Sequence, residues 1–137
     1  MKFKMFSRLC ILGCVLLFTA CGMMENAKKL TAKSETFVNA LSHHQIDKAL
    51  GMIELLKGAD TAYMRDYLDS TSQYLNRHYG KDMKMQFTSY SSQFGTGSAS
   101  RIQLVLVLSK GNVTGKMQFF FTKDGKIKEF HHSEDEE

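Results

Sequence analysis

From Ala27 to Leu41 the positions Leu30, Ser34, Phe37, Val38 and Leu41 recur at helical spacing, with Lys28, Lys29, Lys33 and Glu35 elsewhere. This spacing predicts an amphipathic helix. Ser42-His43-His44 interrupts it, and Ile46, Ala49, Leu50, Ile53 and Leu56 continue the period until Gly58 supplies a stop. A third helix is expected from the N-cap residue Asp60 to Tyr79, with Gly80 at the left-handed position beyond its end. Its buried stripe would be Met64, Leu68, Leu75 and Tyr79, and Tyr63, Tyr67 and Tyr74 run almost in line beside that stripe. A tyrosine at such a boundary buries its ring and keeps its hydroxyl near water, so the row is either edge packing or a set of donors on a pocket wall.

After Gly80 the period changes to two. Met83, Met85 and Phe87 alternate with Lys84, Gln86 and Thr88; a polar turn near Gly95-Thr96-Gly97-Ser98 follows, then strands over Arg101 to Ser109, Val113 to Lys123 and Lys126 to His132. Taking Gly111-Asn112 as a two-residue hairpin loop sets Leu106 opposite Met117, Leu104 opposite Phe119 and Ile102 opposite Phe121, so the two apolar sets share one face. Taking Asp124-Gly125 as a second loop of the same kind sets Phe119 opposite Phe130, Met117 opposite His132 and Phe121 opposite Lys128. The core face then acquires a lysine and a histidine near its last strand. Neither could be buried unpaired without a large cost. Lys128 and His132 are therefore expected at an open end of the fold as ligand-binding candidates, with Tyr63 and Tyr67 on the opposing wall. The competing expectation is that the strand frays after Phe130 and leaves both in solvent.

The first twenty residues follow a different logic. Lys2, Lys4 and Arg8 precede Leu9 to Phe18, a ten-residue apolar run. A membrane-spanning helix needs about 20 such residues, so the run is read as the core of a secretory signal. It ends in Leu17-Phe18-Thr19-Ala20-Cys21-Gly22, which resembles the lipobox of bacterial lipoproteins, Phe18 standing where that family usually has Leu. The resemblance implies cleavage before Cys21, a diacylglyceryl group on its sulfur and attachment of the chain to a membrane. Gly22, in place of the Asp that favours inner-membrane retention in Gram-negative relatives, points to the outer membrane in such a cell.

With the leader set aside, the chemistry narrows. All three cysteines lie within the first 21 of 137 residues, so the rest of the chain offers no thiolate for a disulfide or a metal. Removing Lys2, Lys4 and Arg8 from the 18 basic residues leaves 15 against 14 acids, so the strongly basic balance belongs largely to the leader. The basic groups gather after Arg77, ahead of the acidic end Glu134-Asp135-Glu136-Glu137. Such a surface either attracts anions or guards sheet edges against aggregation. Nucleic acid is not an expected partner of an exported domain with so few arginines. The organisation expected is residues 1–20 as leader, 21–26 as lipidated cysteine and short tether, 27–132 as one α+β domain, and 133–137 as an acidic tail.

Three helices followed by a four-stranded antiparallel sheet, with Phe37-Val38-Asn39-Ala40-Leu41 in the first helix and Phe121-Thr122-Lys123-Asp124-Gly125-Lys126-Ile127 at the closing hairpin, resemble the nuclear-transport-factor-2-like (cystatin-like) superfamily, in particular its small bacterial lipoproteins. The resemblance implies a curved sheet wrapped on the helices as a cone. Enzymes of that superfamily, such as ketosteroid isomerase, scytalone dehydratase and the SnoaL-like cyclases, place Asp/His pairs or Tyr inside the cone, but no such motif transfers residue by residue. His132 is the imidazole aimed at the core face, with Asp66 or Asp69 as possible partners. His43-His44 and His131-His132 lack a third ligand at metal spacing, so neither metal nor cofactor is expected. The expected function is a membrane-anchored, non-catalytic domain that binds another envelope component, a protein or an anionic or amphipathic ligand, through the cone mouth or the basic sheet surface. The alternative is a small-molecule-binding or SnoaL-like enzymatic role inside the cone.

Overall fold

The computed structural model describes residues 22, 24–93 and 101–134. The leader, Cys21, the turn at Gly95-Thr96-Gly97-Ser98 and the last three residues of the acidic tail lie outside the described residues. Within them the fold is α+β: three helices, then an open four-stranded antiparallel sheet in the order β1-β2-β3-β4.

Helix α1 covers 24–42. It begins before the expected Ala27, so residues 24–26 are helical rather than tether, and Asn26 donates from its amide to the Tyr90 hydroxyl at 3.1 Å. Its buried row is Leu30, Ser34, Phe37, Val38 and Leu41, as the spacing predicts. Ser34 is tolerated there because its hydroxyl donates back to the Leu30 carbonyl at 2.8 Å. Helix α2 is only Ile46–Leu50, far shorter than the period predicts. Beyond Gly51 the backbone is taken by the sheet: Ile127 N–H donates to Met52 O (3.1 Å) and Glu54 N–H to Ile127 O (2.8 Å). Ile53 is buried through this pairing while Leu56 stays 75% exposed. Helix α3, Thr61–His78, has the expected cap, the Asp60 carboxylate accepting from the Ala62 and Tyr63 amides, and Gly80 beyond its end has φ +63°. Leu68, Leu75 and Tyr79 are buried along it, and so is Ser72.

Strands β1 (Lys84–Gln93), β2 (Arg101–Lys110), β3 (Val113–Phe121) and β4 (Ile127–Glu134) complete the chain. The first hairpin has the predicted register: Leu106 faces Met117, Leu104 faces Phe119 and Ile102 faces Phe121. The second keeps two of its three predicted pairs and loses the one nearest the loop. Thr122 N–H bonds Lys126 O at 2.9 Å and Gly125 sits at φ +78°, so the loop has three residues, Lys123 to Gly125, closed on a left-handed glycine. Phe121 then faces Ile127, and an irregularity between Phe120 and Phe121 restores Phe119 to Phe130 and Met117 to His132. Lys128 is the extra residue of that bulge and is exposed, while Ile127 is fully buried. The expected placement of Lys128 on the core face is thus corrected: the longer loop puts an isoleucine where a lysine would have lost its hydration.

The core lies between this face and the helices. Phe37 meets Phe119 and Phe130 edge-on, with centroids 5.9 and 5.1 Å apart. The Lys33 ammonium donates to the Gly125 carbonyl, tying α1 to the second hairpin. Leu104, Leu106, Leu108, Met117, Phe119 and Ile127 are all fully buried in one continuous cluster.

Candidate functional site

The residues predicted to share a site do not come together. Lys128 is in solvent on the bulge, Tyr63 is 69% exposed, and Tyr67 is 43% exposed with its ring 5.4 Å from Phe130. His132 meets a different set of side chains. Its ring lies 4.6 Å from that of Tyr74 and 6.2 Å from that of Tyr79, and its Nε2 is 3.4 Å from the Tyr79 hydroxyl. Tyr74 donates to the Glu134 carboxylate and stacks on His78 with centroids 4.0 Å apart. His78 Nε2 is 3.7 Å from the same carboxylate. The fully buried ring of Tyr79 reaches this cluster because β3 carries Gly115 there: a Cβ at that position would fall 2.2 Å from the Tyr79 hydroxyl and 3.2 Å from His132 Nε2. A lone glycine inside a strand pattern is the sequence signal for such a close approach.

Electrostatics keep the protons where these bonds need them. Burial pushes the Tyr74 phenol above its ordinary value, and the hydrogen bond to Glu134 and that residue's charge push the same way. Burial lowers His132; the Glu134 charge opposes this and His78 adds to it. At neutral pH, therefore, His132 is a neutral imidazole and Tyr74 a donor. The cluster joins the end of α3 to the end of β4 and closes the core there with polar groups.

Three hollows stand out on the described surface, and His132, Tyr74 and Tyr79 line none of these three. One, of about 460 Å³, is an open groove along α1 and β1 lined by Met24, Ala27, Lys28, Thr31, Ala32, Glu35 and Phe87, almost wholly apolar where it is accessible. Met24 is 64% and Phe87 41% exposed, and Met24 stands three residues after Cys21. A shallow one of about 490 Å³ lies beside Thr36, His43 and Lys48. The third, a more enclosed cleft of about 320 Å³, lies where the α1–α2 turn meets the end of α3. Among the described residues no three His, Cys, Asp or Glu side chains gather as a metal site, and no helix is long and apolar enough to cross a membrane.

No family model, curated relative or solved structure matches this chain.

Proposed function

We propose that this chain is a bacterial envelope lipoprotein, held on a membrane by an acylated Cys21, whose domain binds an envelope amphiphile rather than turning over a substrate. The observation that carries this reading is the groove of Met24, Ala27 and Phe87: an apolar surface left open to solvent, whose Met24 stands three residues after the cysteine that would hold the acyl chains. Three extended residues span at most about 11 Å, so groove and anchor meet the same lipid surface. Lys28 on the groove's rim suits an anionic headgroup, and an acyl chain suits its floor. Two acyl chains suffice for stable attachment where one is marginal. Gly22 after the cysteine favours the outer membrane in a Gram-negative cell.

The same reading takes the helices and sheet as a cystatin-like cone whose interior is occupied by Phe37, Leu104, Met117 and Phe119. The enzymatic alternative draws on one observation, the half-buried imidazole of His132 beside two tyrosines.

Metabolic labelling with a fatty acid tests the anchor: the native chain should carry label and Cys21→Ala none. Label persisting on the variant would end that part of the reading. A photoreactive fatty acid tests the groove separately. Crosslinks should fall on the peptides that carry Met24 or Phe87 and vanish in the Met24→Ser, Phe87→Ser double variant; crosslinks elsewhere would remove the groove and leave the anchor standing.

A further inference from the structure

Helix α1 stops on a left-handed residue that is not glycine. His44 has φ +56°, and around it Gln45 N–H bonds Ala40 O at 2.8 Å while His44 N–H bonds Leu41 O at 3.1 Å, the two bonds of a Schellman stop. Glycine meets that backbone demand without strain, and here an imidazole stands in its place.

Hydrogen-bond bookkeeping shows how the ring is held. Ser72 is fully buried, has one hydroxyl proton and donates it to the Leu41 carbonyl. The 2.9 Å contact between Ser72 Oγ and His44 Nδ1 must then be donated by the ring. His43 is held alike, its Nδ1 donating to Asn39 O at 2.8 Å. Both imidazoles are thereby fixed with Nε2 as the remaining functional atom, an acceptor when neutral and a donor when protonated.

Both also line the 320 Å³ cleft, together with Asn39, Asn76 and Lys81. A Cβ at Gly80, another lining residue, would lie 3.0 Å from Lys110 Nζ, so a second ammonium stands beside that glycine. None of the described lining residues is acidic. Four carbonyls near the cleft are engaged: Asn39 O by His43, Ala40 O by Gln45, Leu41 O by His44 and Ser72, and Ser72 O by Asn76.

We propose that this cleft binds a phosphate monoester, with His44 and His43 on the phosphate oxygens and Lys81 and Lys110 balancing its charge. A monoester offers three terminal oxygens and close to two negative charges at neutral pH, enough for both ring Nε2 atoms and both ammonium groups to find a partner. A carboxylate, with two oxygens and a single charge, leaves part of this donor set unanswered. The site is separate from the groove: no residue lines both, the groove running along α1 from Met24 to Glu35 and the cleft beginning a turn later at Asn39. It stands whether or not Cys21 is acylated.

The test is imidazole NMR of the full-length chain in a maltoside detergent, titrated with methyl phosphate, inorganic phosphate, acetate, and short-chain phosphatidic acid against phosphatidylcholine. Saturable shifts of the His44 and His43 ring protons are expected with methyl phosphate. Affinity should fall about tenfold or more in both His44→Gly, which keeps the backbone stop, and Lys81→Gln. Saturation by methyl phosphate assigns a soluble source, and saturation by phosphatidic acid alone assigns a lipid headgroup. Acetate or phosphatidylcholine binding as tightly, undiminished binding in His44→Gly, or no saturable shift at His44 with any phosphate would overturn the proposal.

Discussion

At the scale of single residues, this protein departs from local preference where a side chain has a distant partner. His44 occupies a left-handed position at a cost of roughly 1–2 kcal/mol to an L-residue, and it is there that its ring reaches buried Ser72. Gly115 is the converse, a strand position from which the side chain has been removed. Because a Cβ there would overlap the Tyr79 hydroxyl at 2.2 Å, with the Ser133 carbonyl at 3.1 Å behind it, neither neighbour can yield freely. Gly115→Ala should therefore destabilise the fold by about 1–3 kcal/mol despite alanine's better strand propensity, read from the urea midpoint. A midpoint equal to the native one would show that Tyr79 swings away without penalty.

At the scale of elements, β4 shows how a loop decides which side chain is buried. Two-residue and three-residue closures of the second hairpin differ by one position, and one position exchanges Lys128 for Ile127 opposite Phe121. The longer loop prevails because Lys123-Asp124-Gly125 ends on a glycine at positive φ and because desolvating an ammonium costs more than a bulge. Ile127→Ala should accordingly cost about 2–5 kcal/mol and Lys128→Ala less than about 0.5, both by chemical denaturation. The reverse order would restore the shorter loop. Helix α2 makes the same point: its apolar period runs on to Leu56, but a parallel bridge between Ile53 and Ile127 claims the backbone and ends the helix at Leu50.

At the scale of the whole molecule, the end of the core is closed by groups that titrate, so stability depends on pH. His132 has its folded-state pKa below the ordinary value of about 6.5, chiefly through burial, so the unfolded chain takes up that proton first. Its contribution is full above about pH 6.5 and is lost as the pH falls towards the folded value, against the opposing charge of Glu134 and with the added repulsion of His78. The urea midpoint should drop as the pH falls below about 6.5, and His132→Gln should flatten that part of the profile; an unchanged slope would place the titration elsewhere. Much of this architecture is legible in the chain: the α1 stripe, the Asp60 cap, the glycine beyond α3 and the first hairpin register all follow from neighbours within a few residues, where backbone geometry imposes periods of 3.6 and two. What only the tertiary structure decided are matters of long-range competition: the early end of α2, the bulge at Lys128, the pairing of Tyr74 with Glu134 and the tie between His44 and Ser72. The partners in the last two are 60 and 28 positions apart, and no local period encodes them. Short-range pattern says which face of each element avoids water; packing alone determines which polar groups on those faces meet.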